Sequence, residues 1–313
     1  MRAITQQRFG GPEVLEVADV PRPEPLPTEV LVRVVAAGIN PVDAKTREGS
    51  GMAGVLGAPP FILGWDVSGV VEKTGHGVHT LQPGDEVYGM PWFPRQAGAY
   101  AEYVTAPSRQ FARRPVSISH EAAAAVPLAG LTAWQSLTAA TTIKPGQRVL
   151  IHAAAGGVGH FAVQIAKHLG AYVIGTARSA KHDWLRSLGA DELIDYSTVA
   201  FDSAVKDVDV VLDLVGDEQT GLRSLSTLTP GGLLIAVPSG VAPSVFDAAQ
   251  RDGKRAVGFL VEPDGTALTE IAQLIDAGAV HVEVAEAFPL ERAADAHRAL
   301  ETGRTRGKLV LTI

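Results

Sequence analysis

The chain has 313 residues, with apolar side chains at 46% and charged ones at 19%. That length suits about two domains, and the composition buries a sizeable core, which excludes a disordered chain. A net charge of −7 argues against a dedicated nucleic-acid binder, and the absence of cysteine removes disulfides, thiolate metal sites, iron–sulfur clusters and thiol nucleophiles.

The first ten residues lack the apolar core and cleavage site of a signal peptide, and no stretch reaches the roughly 20 apolar residues of a membrane helix. The expectation is a cytoplasmic protein with no membrane partner. Up to about Arg114 the chain is rich in Pro, Gly and Val. Residues 29–37 (EVLVRVVAA) and 66–74 (DVSGVVEKT) read as short strands, separated by turn signals such as Gln82-Pro83-Gly84-Asp85. Pro21, Pro23, Pro25 and Pro27 form an extended spacer. This region reads as a partly closed β-barrel.

From Ser119, a plausible N-cap, the texture changes. Residues 120–126 read as an Ala-rich helix, 148–153 (RVLIHA) as a strand, 158–169 as a helix ended by Gly170, and 172–176 as a strand. A helix at 181–188, strands at 192–195, 208–215 and 233–237, a helix at 266–276 and a tail strand at 308–313 follow. Continuous apolar strands alternating with helices predict a parallel sheet covered on both faces, hence an α/β fold.

The sharpest motif is Ala153-Ala154-Ala155-Gly156-Gly157-Val158-Gly159. A strand, a Gly-rich turn and a helix N-terminus in that order present backbone N–H groups and a helix dipole to a diphosphate. The binding set is therefore Ala155, Gly156, Gly157, Val158 and Gly159, with Ala154 where the dinucleotide fingerprint has its first Gly. A βα turn of the same shape without ligand is the alternative. An acid about 20 positions on would hold the ribose of NAD. Instead the second strand runs into Gly175-Thr176-Ala177-Arg178-Ser179-Ala180-Lys181, with two cations and no carboxylate. Thr176, Arg178, Ser179 and Lys181 suit a 2′-phosphate, which favours NADPH, and Tyr196 is placed at the adenosine end.

At these residues the chain resembles the medium-chain dehydrogenase/reductase superfamily, and within it the zinc-free quinone oxidoreductase (ζ-crystallin-like) and enone/alkenal reductase branch. The resemblance spans nearly the whole chain. It runs through Gly38-Ile39-Asn40-Pro41-Val42-Asp43-Ala44-Lys45, Gly64-Trp65-Asp66-Val67-Ser68-Gly69, Pro83-Gly84-Asp85-Glu86-Val87-Tyr88-Gly89, Gly98-Ala99-Tyr100-Ala101-Glu102-Tyr103, Leu131-Thr132-Ala133, the glycine loop and Gly303-Arg304-Thr305-Arg306-Gly307-Lys308. It implies a GroES-like β-barrel domain, residues 1–120 with 263–313, and an inserted doubly wound Rossmann domain, residues 121–262. Substrate and nicotinamide are expected to meet in the cleft, in a homodimer paired through the last Rossmann strand, about residues 256–261. Zinc-containing relatives place Cys at the Asn40 position and Gly-His-Glu where Gly64-Trp65-Asp66 stands. Amide and indole do not replace thiolate and imidazole, so no metal is expected.

Without a Lewis acid, alcohol oxidation gives way to reduction of an electron-poor acceptor, a quinone or an α,β-unsaturated carbonyl. Lys45 is the candidate electrophile for the oxygen that gains charge, against a surface lysine paired with Asp43 or Glu48. Asn40 is read as a donor to the substrate or the nicotinamide ribose, Asp43 as an organiser of its loop, and Glu48 as solvated. Thr132, Ser239, Phe259 and Val261 are placed at the nicotinamide end, and Arg306 and Lys308 near the phosphates. Trp65 and Trp92 are read as a wall for a flat acceptor or as core. A one-electron quinone reductase and a non-catalytic, crystallin-like NADPH-binding protein are the alternatives.

Overall fold

The computed structural model describes residues 1–237 and 240–313, in two compact units. The first unit is Met1–Leu131 with Glu262–Gly278 and Val282–Ile313; the second is Thr132–Val261 with Ala279–His281. Eight strands occupy the N-terminal part: β1 (Arg2–Gln6), β2 (Glu16–Asp19), β3 (Glu29–Ile39), β4 (Phe61–Ile62), β5 (Asp66–Thr74), β6 (Glu86–Gly89), β7 (Tyr103–Pro107) and β8 (Phe111–Arg113). Six lie in the middle: β9 (Arg148–Ile151), β10 (Tyr172–Thr176), β11 (Glu192–Ile194), β12 (Val208–Asp213), β13 (Leu228–Ala236) and β14 (Arg255–Gly258). The tail supplies β15 (Val284–Pro289) and β16 (Lys308–Thr312).

In the first unit β3 is the axis. It pairs antiparallel with β5, β7 and β16, in a sheet ordered β15-β16-β3-β5-β6-β8 with β7 attached to β3; β2-β1-β4 forms a smaller sheet. Val30, Val32, Val34, Val67, Val71 and Val104 join Leu309 and Leu311 of β16 in one core cluster. The tail strand is thus buried together with strands some 270 positions earlier, which makes this unit discontinuous in sequence. Helix His120–Ala124 packs on β3, β5 and β16. The division therefore falls between Leu131 and Thr132, later than the expected 120/121.

The second unit is a six-stranded parallel sheet ordered β11-β10-β9-β12-β13-β14. Leu150, Ile174, Val211 and Leu234 are buried, consistent with apolar strands covered on both faces. The chain steps outward from β9 through β10 to β11, then restarts at β12 on the other side. The switch point lies between β9 and β12, and doubly wound sheets bind ligands at the carboxyl ends of strands flanking such a point.

Most elements lie within a few residues of their sequence-based bounds. Strand 233–237 instead begins at Leu228 and passes a register shift between Val208 and Val210 of its partner. Helix Pro127–Thr138 was not anticipated. Its Leu128, Ala129, Leu131, Ala133 and Leu137 are all buried, so it has no polar stripe to reveal the period. Among the described residues no helix is long and apolar enough to cross a membrane.

Candidate functional site

In the second unit the glycine loop follows β9 and opens helix Gly157–His168, with Gly156 at the N-cap in an extended conformation and no side chain capping the first turn. The N–H groups of that turn have no carbonyl one turn back to bond. A Cβ on Gly159 would stand 2.4 Å from the Ala153 carbonyl oxygen and 2.6 Å from that of Ala154, so only glycine lets the helix start this close to the strand end. The left-handed residue of the turn is Ala153, at φ 49°. A non-glycine residue there costs about 1 kcal/mol or more. Two bonds from Thr176 hold the strain: its Oγ1 accepts the Ala153 N–H (3.2 Å) and its carbonyl the Ala154 N–H (3.0 Å). Thr176 is 2% exposed. Its hydroxyl, expected at the cofactor, is engaged in shaping the loop.

His152 extends this anchoring. The Ser224 hydroxyl donates to the Thr220 carbonyl, so it accepts from His152 Nε2–H at 2.9 Å; Nδ1 then accepts from Thr176 Oγ1 at 3.3 Å. Burial pushes the imidazole pKa down to about 4.

Beyond β10, Arg178, Ser179 and Tyr196 are exposed and Lys181 is half-buried. Asp195 ties the two loops together. Its carboxylate accepts from the Ser179 N–H (2.8 Å) and the Ser197 N–H (3.0 Å), and these donors with the Ser197 hydroxyl hold its pKa well below the usual range. At the carboxyl ends of β12 and β13 a cavity of about 250 Å³ is lined by Asp213, Gly216, Leu234, Ala236 and Val241 among others. Asp213 turns the chain there by accepting from the N–H groups of Val215 (2.9 Å) and Gly216 (3.1 Å). Sequence reasoning missed Asp213, although its place at the end of an apolar strand was a usable signal. Thr132 and Val261 are buried, and Phe259 is half-buried with its N–H on the Ala236 carbonyl at 2.9 Å. Ser239 lies outside the described residues.

The first unit contains a buried polar cluster. Lys308 is 3% exposed at the head of β16, and its ammonium donates to the Ile39 carbonyl (2.8 Å) and to Asn40 Oδ1. Asn40 Nδ2 donates to Asp66 Oδ2 at 2.8 Å, and the Leu128 N–H donates to Asp66 Oδ1 at 2.7 Å. Lys308 and Asp66 are 3.7 Å apart. Burial pushes Asp66 up and Lys308 down, and each charge opposes the shift of the other. This corrects the expectation for Lys308. It opens the tail strand, as read, but its ammonium is held inside rather than offered to a phosphate. The Asn40 amide, 1% exposed, is likewise engaged on both its oxygen and its nitrogen. The resemblance noted above sets Asn40 and the Gly64-Trp65-Asp66 turn where a zinc site would be expected. Here an ammonium already neutralises Asp66 and would repel a dication, so the residues do not fit zinc. Among the described residues no cluster of three His, Cys, Asp or Glu side chains exists either.

Asn40 caps helix Pro41–Arg47, and Asp43 reaches back to accept the Asn40 N–H at 2.7 Å, the loop-organising part read from sequence. Lys45 is exposed on that helix, with no ion pair to Asp43 or Glu48; Glu48 instead accepts from Arg47 at 2.6 Å. Arg306 pairs with Glu283 at 2.7 Å while half of its side chain faces solvent. Trp65 is core: it is 1% exposed, donates to the Arg95 carbonyl (2.6 Å) and meets Phe93 edge-on at 5.4 Å. Half-buried Trp92 donates to the Thr105 carbonyl at 2.7 Å.

His152 gives the glycine loop a pH signature. Between pH 6.5 and about 4 the unfolded chain binds a proton that the folded imidazole refuses, so stability falls as the pH is lowered through that window. Urea denaturation at pH 7 and pH 5 is expected to show a loss on the order of 1–2 kcal/mol from this group. The total loss should shrink by that amount in His152→Asn, with the part due to buried His297 remaining; an unchanged loss in that variant would contradict the assignment.

Comparison with known proteins agrees with this architecture. Residues 26–116 match the family described as "Alcohol dehydrogenase GroES-like domain", and residues 188–311 the family described as "Zinc-binding dehydrogenase". The chain is 35% identical to the NADPH-dependent alkenal/one oxidoreductase of Arabidopsis thaliana chloroplasts, over 99% of this chain and 79% of the relative. A Coxiella burnetii quinone oxidoreductase structure superposes with a TM-score of 0.94 at 39% identity, covering 100% of this chain and 99% of that one. An Escherichia coli quinone oxidoreductase complexed with NADPH does so with a TM-score of 0.88 at 32% identity, covering both chains fully. A sheet unit completed by the chain's own C-terminal strand, a doubly wound unit with a glycine loop and whole-length identity above 30% place the chain in the medium-chain dehydrogenase/reductase superfamily, in its quinone and enone oxidoreductase branch.

Proposed function

We propose that this protein is an NADPH-dependent reductase that delivers hydride to a quinone or an α,β-unsaturated carbonyl, without a metal. The observation that carries the reading is the glycine loop, where Gly159 lets the helix start close to the strand end and no side chain caps its first turn, which leaves those N–H groups for a diphosphate. NADPH bound there supplies the hydride.

The chain's own residues bind, orient and stabilise. The amides of residues 155–159 hold the diphosphate. Arg178, Ser179, Lys181 and Tyr196 hold the adenosine end, and the two cations match a 2′-phosphate in charge. Thr132, Phe259 and Val261 contact the nicotinamide end, and Arg306 contributes charge towards the phosphates. Thr176 and His152 act behind the loop, keeping Ala153 in its left-handed turn. Lys45 is the electrophile: its ammonium stabilises the negative oxygen that develops on the acceptor as hydride arrives. Asn40 acts behind Lys45 by capping its helix. The acceptor class follows the alkenal/one and quinone relatives. We also read the protein as a homodimer paired through the outer edge of β14, where Val257 and Leu260 are 38% and 53% exposed. The cysteine-free composition suits a cytoplasmic setting.

NADPH consumption followed at 340 nm with a small quinone and a simple enone tests the reading. Turnover with at least one acceptor is expected, and tight NADPH binding with both inert would make this a nucleotide-binding protein instead. NADPH should bind at least roughly tenfold more tightly than NADH, and Arg178→Ala with Lys181→Ala should narrow that gap. Equal affinities in the native protein would remove the phosphate site. Lys45→Ala is expected to lower kcat by about ten- to a hundredfold at unchanged NADPH affinity, while native turnover would exclude it from the chemistry. Light scattering should give a dimer for the native chain and a monomer for Leu260→Asp.

A further inference from the structure

Behind Asn40 and Lys45 runs a second set of buried groups that the scheme above leaves unused. Arg47, Tyr100 and His297 are each 0% exposed, as is Asp43. They come from four places in the chain: Asp43 and Arg47 from the two ends of helix Pro41–Arg47, Tyr100 from the segment before β7, and His297 from helix Ala293–Glu301. The Tyr100 hydroxyl lies 2.9 Å from Asp43 Oδ2 and 3.2 Å from His297 Nε2, and His297 Nδ1 lies 3.0 Å from Arg47 Nη1.

Elementary chemistry gives these contacts a direction. A guanidinium donates and never accepts. Arg47 spends its donors on the Gly10 carbonyl (2.9 Å), Glu48 (2.6 Å), Glu301 (2.7 Å) and His297. His297 Nδ1 must therefore be the bare nitrogen, which puts the proton on Nε2. Nε2–H then donates to Tyr100, whose single O–H is left to donate to Asp43. Burial and the adjacent guanidinium hold the His297 pKa down to about 3, so the imidazole keeps this neutral tautomer at ordinary pH. Asp43 Oδ2 closes the series by accepting from Tyr100 and from the Asn40 N–H.

We propose that Arg47, His297 and Tyr100 are positioning residues for the reduction, a one-way hydrogen-bond series that fixes Asp43 and, through it, the Asn40-capped turn of the helix that carries Lys45. The proposal rests on the reading of Lys45 given above. The series needs a neutral histidine, because protonation at Nδ1 would point a proton at Arg47. It is held most tightly when Asp43 is ionised, because both donors meet Oδ2 and a carboxylate oxygen accepts more strongly than the carbonyl oxygen of the neutral acid. Desolvation pushes the Asp43 pKa up to about 7, opposed by the Asn40 N–H, Tyr100 and Lys308 and reinforced by Asp66. These are the polar groups facing it, with His297 and Arg47 behind Tyr100. Turnover should therefore rise with pH through neutrality.

The test combines kinetics with a measurement that needs no turnover. Tyr100→Phe removes a bond that favours the carboxylate. It is expected to lower kcat about tenfold with KM for NADPH within about twofold, and to move the acidic limb of the pH–rate profile upward. His297→Leu should lower kcat similarly. His297→Gln offers one acceptor and one donor, and should restore turnover to within about threefold of the native protein. Nitrogen-15 correlation spectra of the native protein should show His297 as the Nε2–H tautomer at pH 7. An Nδ1–H or protonated ring overturns the series whatever the kinetics, as does a Tyr100→Phe profile that coincides with the native one. If the native chain turns over no acceptor, the functional reading fails, and the tautomer still decides whether the series exists.

Discussion

A single ammonium group ties the first unit together. Lys308 enters from the last strand of the chain and meets the end of β3 at Ile39, the cap residue Asn40 and the head of β5 at Asp66. Asp66 in turn takes the Leu128 N–H at the start of the following helix. Four segments far apart in sequence are thus tied at one buried point. Taking these charges out of water is costly, and replacing them with apolar groups would often be as stable. What the cluster confers is direction: an amide oxygen that must face a cation and an amide nitrogen that must face an anion permit one arrangement of Asn40. Helix Pro41–Arg47 starts from that arrangement.

The sheet unit depends on a different constraint, the distance between a strand end and a helix start. Gly159 permits the approach, Ala153 takes the backbone strain, and Thr176 with His152 holds the strained turn from behind. An anion placed at the helix start meets amides that are already aligned, so little ordering is left for binding to supply. Both units follow one physical rule. The polar groups at the surface of each candidate site are backed by polar side chains that are buried and hydrogen-bonded to one another.

Much of this was legible in the sequence, because the signals were local. Apolar runs between glycines marked the sheet strands, and the glycine-rich run marked the turn from β9 into helix Gly157–His168. Asp43 was readable as a loop organiser from its spacing to Asn40. Less legible were residues whose partners lie far along the chain. Lys308 looked like a cation available to a phosphate, because nothing in its neighbourhood announces Asp66 some 240 positions earlier. Tyr100 and His297 carried no local signal, and Trp65 read equally well as a wall or as core. Helix Pro127–Thr138 escaped because most of its residues are buried and it shows no polar stripe.

The sequence by itself determined the α/β class, the inserted sheet unit and the glycine turn between strand and helix, since each follows from periodicity or turn chemistry within a few residues. Only the tertiary structure decided which polar side chains face inward, which histidine tautomers are allowed and which cation is spent on the protein rather than on a ligand. Those choices depend on desolvation and on partners brought together by folding, and neither quantity is written in any single stretch of chain.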